Sequence, residues 1–221
     1  MNRLMVVSCL LVVCFAAAIS VSAQGRMRPV EPQKDPEFTK LVEKLKGGDT
    51  SIDYRALRVA WARSDFPGAR GIDPKLRMKL VESVKANKYD DIAKTADEML
   101  KINPMDINTR ATAAAAFLEL KDAKKYDYHL AVYQGLINSI VGSADGESQK
   151  TAYMVVSRDE MIAVLKAYDL QTTASEELIE GTNRYQIVTA ADKSNGGTSK
   201  VYFNVDMMPK MPERPERPAK P

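Results

Sequence analysis

The sequence has very few of the side chains that most often perform chemistry. It contains one histidine, His129, and two cysteines, Cys9 and Cys14, among 221 residues. A zinc site needs about four nitrogen, sulfur or oxygen ligands, which a single histidine does not supply. A Ser-His-Asp triad would have to use His129, yet the sequence carries no nucleophile-elbow motif. We therefore expect no metal site, no cofactor and no catalytic residue, and we interpret His129 as a packed or surface residue of a helix.

Residues 1–23 have the three-part pattern of a secretory signal. A positive start is followed by an apolar run over residues 4–18 and by small residues at 21–23. The run is shorter than the roughly 20 residues that a spanning helix needs. We therefore expect cleavage before Gln24, export to the periplasm or the extracellular space, and no transmembrane segment afterwards. The mature chain then contains no cysteine and forms no disulfide.

An alternative interpretation of the same segment is lipidation at Cys9. Val6-Val-Ser-Cys9 loosely resembles the lipobox of bacterial lipoproteins. Most of the apolar run follows this cysteine instead of preceding it, which favours the cleaved signal.

Neither sign of charge dominates the chain. Lysine and arginine number 32 against 29 acidic residues, a formal net charge of +3 that becomes +2 when Arg3 is removed with the signal. Proteins that bind nucleic acid normally carry a strongly basic footprint, which this balance lacks. The acidic pairs Asp90-Asp91, Asp97-Glu98 and Glu176-Glu177 are neighbours in sequence, whereas glycosidases use two carboxylates that converge across a cleft. We expect no nucleic-acid partner and interpret these pairs as solvated.

Apolar residues recur at helical spacing between residues 35 and 141, which predicts six helices in antiparallel hairpins. Asp35-Pro36, Asp53 and Asp73-Pro74 mark the first three starts, because aspartate suits the N-cap and proline the first turn. A loop is expected over residues 65–71, and the other three helices over residues 89–102, 107–120 and 123–141.

The apolar positions also predict which side of each helix is buried. On the third helix they are Leu76, Leu80, Val81 and Val84. On the fourth helix they are Ile92, Ala96, Met99 and Leu100. On the sixth helix they are Tyr126, Leu130, Tyr133, Ile137 and Ile140.

The fifth helix, residues 107–120, has no clear polar face. Residues 113–116 are all alanine, the best helix former, and place small side chains on every side. A helix of this kind is usually buried between neighbours. We expect it at the centre of the protein. If stacked helices form a groove beside it, Asn108, Ala111 and Ala115 are the candidate residues of its lining.

The pattern changes after the glycine-flanked link at residues 142–148. Residues 153–156 favour a strand, and Ser157-Arg-Asp-Glu160 is a capping box that begins another helix. Residues 170–179, 184–191 and 200–206 favour three more strands at hairpin-like distances. Together these elements predict an α+β fold in which helical hairpins (35–141) pack with a small C-terminal antiparallel sheet (142–206) in the same domain.

Two segments are predicted to lie outside this domain. Residues 24–34 form a polar tether that contains proline. The tail, residues 207–221, has a proline at every third position from 209, which favours polyproline II structure. We interpret it as a stiff, solvated extension; the alternative is a docking strip for an acidic or aromatic surface.

Residues 87–104 resemble the second helix of a tetratricopeptide (TPR) repeat, which closes on a proline, here Pro104. In the next unit Ala114 and Phe117 stand where the small residue and the following aromatic residue of that repeat belong. These repeats are about 34 residues long, and the alignment on Pro104 gives two degenerate copies. The resemblance implies TPR-like helical hairpins.

A second resemblance covers roughly residues 38–206. The helices, the glycine-flanked link, residues 151–160 and residues 200–206 together resemble a family of bacterial exported proteins described as a domain of unknown function. The resemblance implies export and a helical domain with a small sheet. It implies no activity.

The grooves of stacked helices bind extended or helical segments of other proteins. The sequence therefore favours an exported, non-enzymatic interaction module, a scaffold or adaptor, with a protein or peptide partner. The alternative is a hydrolase or ligand-binding protein with its site at the junction of helices and sheet, formed by Asp145, Glu147 and Tyr153. A purely structural surface protein is a third hypothesis.

Overall fold

The computed structural model describes residues 35–64 and 72–208. The predicted signal at residues 1–23, the tether at 24–34, the loop at 65–71 and the tail from residue 209 lie outside the described residues.

The described residues form seven helices and four strands, which confirms the α+β fold. The helices are α1 (Pro36–Lys46), α2 (Tyr54–Arg63), α3 (Pro74–Lys85), α4 (Tyr89–Ile102), α5 (Ile107–Glu119), α6 (Ala123–Val141) and α7 (Arg158–Ala167). The strands are β1 (Tyr153–Met154), β2 (Leu170–Glu180), β3 (Asn183–Asp192) and β4 (Thr198–Asn204).

Side-chain caps fix most of the helix starts. Asp35 accepts hydrogen bonds from the backbone N–H groups of Glu37 and Phe38, and Asp53 accepts one from Ala56. Asp73 caps α3 in the same way through Lys75. An N-cap of this kind contributes about 1 kcal/mol. The predicted first residues of α1, α2 and α3 are therefore confirmed, and the cause is the predicted one, an aspartate side chain that caps each helix.

The four strands form one sheet in the order β1-β4-β3-β2. The pairs β2–β3 and β3–β4 are antiparallel, as predicted, but β1 lies parallel to β4. The sheet is therefore mixed. Helix α7 and strands β2 and β3 separate β1 from β4 along the chain, so β1 can lie parallel to β4 at the edge of the sheet opposite β2. Val188 pairs with Val201 on the face that is buried against the helices.

Two hydrophobic clusters make up the core. The larger one joins α1, α2, α6, α7 and the sheet, with Leu57, Leu136 and Phe203 fully buried. The smaller one joins α3, α4 and α5. Helix α5 contributes to both, since Ile107 lies in the larger cluster and Ala113 in the smaller. The side chains of α5 between Ile107 and Ala113 therefore lie where the two clusters meet.

The prediction that α5 is buried at the centre of the protein is confirmed for most of its surface and is wrong for one side. Ala113, Ala114 and Ala116 are buried, but Ala115 is exposed and Leu118 is 55% exposed. Helices α4 and α6 cover two sides of α5 and α7 touches only its beginning, so one strip of the C-terminal half faces solvent.

The predicted apolar faces of α3 and α6 need correction. On α3, Val81 and Val84 are exposed while Ser83 is buried, because α4 is the main neighbour of this helix. On α6, the fully buried positions include His129 and Val132, while the predicted Tyr126, Leu130 and Tyr133 are half-buried. Ile137 and Ile140 are buried as predicted, so the correction applies to the first half of the helix. Helix α6 packs between α5 and α2, and these two neighbours bury His129 and Val132 there.

A buried ion pair holds α2 against α7 and β1. Arg58 donates from Nε to Glu160 Oε1 at 2.8 Å and from Nη2 to Oε2 at 2.7 Å. The same Nη2 donates to the Met154 carbonyl at 2.6 Å, and the Val156 N–H donates to Glu160 Oε2 at 2.8 Å. Ser157 Oγ accepts from the Glu160 N–H, as the capping box predicts, but the Glu160 carboxylate serves the buried arginine instead.

The ordered domain extends slightly beyond its predicted end at residue 206. Met207 and Met208 are half-buried and pack on the larger cluster. Arg184 Nη2 donates to the Met208 carbonyl at 2.7 Å. The first two residues assigned to the tail therefore belong to the fold.

Candidate functional site

A cavity of about 420 Å³ lies between α1 and the α4–α5 hairpin, with side chains of α6 contributing to its wall. Ligand sites in proteins commonly have volumes of about 300–1,000 Å³. The apolar part of the lining is formed by Phe38, Val42, Leu45, Leu100 and Pro104. The polar part is formed by Thr39, Glu43, Lys46, Asp97, Lys101, Arg110, Tyr128 and His129. The cavity therefore combines an apolar wall of five residues with eight residues that carry polar groups.

Arg110 is the most unusual residue of this lining. Its side chain is 5% exposed, and it donates from Nη2 to the Pro104 carbonyl at 3.2 Å. Its Nη1 lies 3.3 Å from His129 Nδ1, and its Cζ lies 5.5 Å from the centre of the Tyr128 ring. Its Nε has no hydrogen-bond partner. Within residues 35–64 and 72–208, no carboxylate oxygen lies within 4.0 Å of this guanidinium.

The contrast with Arg58 shows what Arg110 lacks. Both side chains are buried, but Arg58 faces the Glu160 carboxylate through two parallel hydrogen bonds. Arg110 contacts a carbonyl, an imidazole and an aromatic ring, which are uncharged, and the Asp97 carboxylate acts on it only from beyond 4.0 Å. Removing an ion from water costs several kcal/mol, and a paired carboxylate normally offsets part of that cost. Burial accordingly lowers the pKa of Arg110.

His129 is neutral where it meets Arg110. Burial is the main cause that lowers its pKa to about 4, and the positive charges of Arg110 and Lys125 lower it further. Phe117 stacks on the imidazole with 5.3 Å between ring centres, and Tyr128 meets it edge-on at 5.2 Å. The Nδ1 lone pair therefore accepts a hydrogen bond from Arg110, which orients the guanidinium but supplies no negative charge.

The junction of helices and sheet carries a second cleft, of about 550 Å³. Asp145, Glu147 and Tyr153 all line it, so the structure brings together the three residues of the junction hypothesis. Hydrogen bonds, first from the Thr151 side chain and then from the Glu147 N–H, lower the pKa of Asp145. A carboxylic acid that donates a proton near neutral pH needs a raised pKa instead.

The other groups of this cleft show the same pattern. Asp192 also lines the cleft, and hydrogen bonds from Ser194 lower its pKa. Burial raises the pKa of the Tyr153 phenol, and a hydrogen bond with Tyr168 raises it further. The cleft therefore offers two ionised aspartates and a neutral phenol, an arrangement better suited to binding than to proton transfer.

The groove candidates chosen from the sequence lie on another side of α5. Asn108 is half-buried, its amide donates to the Asp159 carbonyl at 3.4 Å, and its carbonyl oxygen accepts from Lys166 Nζ at 3.2 Å. Ala111 is half-buried and Ala115 is exposed. None of the three lines the cavity or the junction cleft. Asn108 joins α5 to α7, and the role of these residues in binding stays a prediction.

Arg110 is the functional candidate that the sequence analysis did not single out. One signal for it exists in the sequence. Within the thirteen residues of α5, Arg110 and Glu119 are the charged residues. Glu119 is the last residue of the helix, whereas Arg110 is the fourth and precedes the alanine run at 113–116. A charged side chain in a helix that is otherwise buried is rarely buried itself unless another group pairs with it.

Two negative findings apply to residues 35–64 and 72–208. No group of three or more His, Cys, Asp or Glu side chains there is arranged to hold a metal ion. No helix in those ranges has the length and apolar character needed to cross a membrane.

Comparison with known proteins places the chain in one family. Residues 35–214 match the family described as "Domain of unknown function (DUF4919)", and the chain belongs to it. The match contains every helix and strand described above. No curated protein and no solved structure matches the chain.

Proposed function

We propose that this protein is an exported, non-enzymatic module with TPR-like helical hairpins that binds a protein or peptide partner. The observation that supports this best is the cavity between α1 and the α4–α5 hairpin. An apolar wall there borders a buried guanidinium, and no carboxylate in the described part of the chain lies within 4.0 Å of it. Keeping such a charge buried costs stability. A partner that supplies the missing contacts gives a reason for the cost.

The lining is suited to a segment of polypeptide. Phe38, Val42 and Leu100 offer an apolar surface for one or two side chains of the partner. Glu43, Lys46, Asp97 and Lys101 supply acceptors and donors at the rim for its polar groups. Partner segments recognised by helical surfaces commonly combine apolar anchors with polar contacts at the edge.

The junction cleft supports a second candidate, a ligand-binding function at the meeting of helices and sheet. The supporting observation is that Asp145, Glu147 and Tyr153 line one cleft. The lowered pKa values of Asp145 and Asp192 favour binding of a cation or a hydrogen-bond donor there over hydrolysis.

Peptide display on the purified chain, followed by affinity measurement on tryptophan variants, tests the proposal. Thr39 is exposed and lines the cavity, so Thr39→Trp fills its mouth without entering the core. Lys40→Trp is the matched control, because Lys40 is exposed on the same helix and does not line the cavity. We expect selected peptides to bind the wild type and Lys40→Trp equally and to lose at least tenfold in affinity on Thr39→Trp.

A third variant separates the two candidate sites. Ser199 is exposed and lines the junction cleft, so Ser199→Trp obstructs that cleft alone. If Ser199→Trp lowers the affinity for the selected peptides and Thr39→Trp does not, the binding site is the junction cleft and not the cavity. Peptides whose affinity neither substitution changes would overturn both candidate sites.

A further inference from the structure

The charges around the cavity leave one net positive charge at its inner end. The rim carries two acids, Glu43 and Asp97, and two bases, Lys46 and Lys101, which balance each other. His129 and Tyr128 are the remaining ionisable groups of the lining besides Arg110, and the lowered pKa of His129 keeps it neutral at pH 7. The cavity is therefore complementary to an occupant with one negative charge.

The hydrogen-bond donors of Arg110 narrow the class of anion. A guanidinium has five N–H donors, and Arg110 uses one on Nη2 toward Pro104 and one on Nη1 toward His129. One further N–H remains on each of these two nitrogens, while the Nε–H is enclosed and has no partner. A planar guanidinium matches the two oxygens of a carboxylate through parallel hydrogen bonds. A phosphate monoester carries close to two negative charges at pH 7 and would leave one of them without a partner here.

The surroundings of Arg110 define the rest of the occupant. The apolar wall of Phe38, Val42, Leu45 and Leu100 borders the same cavity, so the group that carries the charge needs an apolar body. We propose that the cavity binds a carboxylate attached to an apolar group, with Arg110 pairing with the carboxylate and the α1–α4 wall covering the apolar part. This inference rests on the proposed function in placing the binding site in this cavity.

Two sources supply this chemistry. One is the C-terminal carboxylate of a peptide that ends in apolar residues, and the other is a free aliphatic carboxylic acid. In both, burial of the apolar part excludes water from the ion pair, which strengthens it. The two sources are distinguished by the probes used below.

Calorimetric titration of the purified chain with matched probe pairs tests the inference. The peptide pair is acetyl-Val-Leu-Phe with a free carboxylate and the same peptide as the amide. The small-molecule pair is decanoate and decanol. We expect the charged member of at least one pair to bind at least tenfold more tightly than its neutral partner, and the pair that shows this identifies the source.

Variants of Arg110 connect that preference to its guanidinium. Arg110→Met replaces the charge by an apolar side chain of similar length and is expected to remove the preference for the charged probe. Arg110→Lys keeps the charge but loses the planar fork, so an intermediate preference is expected. Lys40→Met removes one positive charge from an exposed position outside the cavity, and the preference should survive it unchanged.

The outcomes separate this inference from the proposed function. Equal binding of charged and neutral members overturns the carboxylate inference and leaves the cavity as an apolar binding site. A preference that persists in Arg110→Met also overturns it. A decanoate preference without peptide binding supports the carboxylate and identifies a free acid as its source. No binding by any probe overturns the carboxylate inference, whereas the proposed function is decided by the display experiment with Thr39→Trp.

Discussion

Arg110 Nη1 lies 3.3 Å from Nδ1 of His129, so a buried cation is hydrogen-bonded to a neutral imidazole and not to a carboxylate. The contact lies where the two hydrophobic clusters of the protein meet, and it lines the cavity. It fixes the position of the guanidinium, whose charge no carboxylate of the described residues meets within 4.0 Å. Stability and its pH response at this site therefore depend on the same two residues, and so does the binding proposed there.

The stability of the protein should fall in acid partly because of His129. Its pKa is lowered to about 4 in the folded protein, whereas the unfolded chain titrates near 6.5. The unfolded state therefore binds more protons between these values, and the stabilising contribution present above pH 6.5 is lost as the pH falls toward 4.

His129→Gln removes this titration. We expect the free energy of unfolding of the wild type minus that of His129→Gln, measured by urea denaturation, to decrease by on the order of a few kcal/mol from pH 7 to pH 4. Any loss of packing in the variant adds an offset that does not depend on pH. A difference that stays constant across this range would contradict the burial of a neutral histidine here.

The two buried arginines should respond differently to replacement by methionine. Arg58→Met leaves the Glu160 carboxylate buried without its cation, which is expected to cost about 3–5 kcal/mol of unfolding free energy. Arg110→Met leaves the Pro104 carbonyl and His129 without a donor, but it strands no charge and removes the cost of burying the guanidinium. These effects oppose each other, so the loss is expected to stay below about 2 kcal/mol. Equal losses in urea denaturation at pH 7 would show that Arg110 has a counter-charge after all.

Gly135→Ala should destabilise the protein although alanine is the better helix former. A Cβ at Gly135 would overlap the ring of Tyr54, since α6 passes close to α2 at this point. Helix propensity alone favours alanine by about 1 kcal/mol, whereas overpacking costs typically 1–3 kcal/mol.

The measurement for Gly135→Ala is the midpoint and free energy of urea unfolding. Gln134→Ala is its control, because the neighbouring residue is exposed on the same helix. We expect the control to change stability by less than about 0.5 kcal/mol. A stabilised Gly135→Ala protein would mean that α2 and α6 lie farther apart than described.

The proposed export makes a prediction about the N-terminus of the mature protein. Cleavage at the small residues 21–23 should give a chain that begins at Gln24 and contains no thiol. Intact-mass measurement of protein from the envelope fraction and the medium checks this. A chain that begins at Cys9 with the added mass of acyl groups would establish the lipoprotein alternative, and an unprocessed chain would contradict export.

Sequence by itself determined the local elements. Asp35-Pro36 and Asp73-Pro74 began their helices as expected, and the strand predicted at residues 184–191 is β3, one residue longer at each end. Caps, turns and periodicity depend on residues within a few positions of one another, so one sequence is enough to find them. Asp145, Glu147 and Tyr153 were also placed correctly at the junction, because the link and the strands around them were found.

Tertiary structure decided which surfaces are buried and where the candidate site lies. Glu160 has the spacing of a capping box, but its carboxylate pairs with Arg58, 102 positions away in the chain. The cavity collects side chains from α1, α4, α5 and α6. Arg110 is significant there because no carboxylate of the described residues, Asp97 of the same lining included, lies within 4.0 Å of its guanidinium. Whether a buried charge is paired depends on the packing of distant elements, and no local pattern encodes that packing.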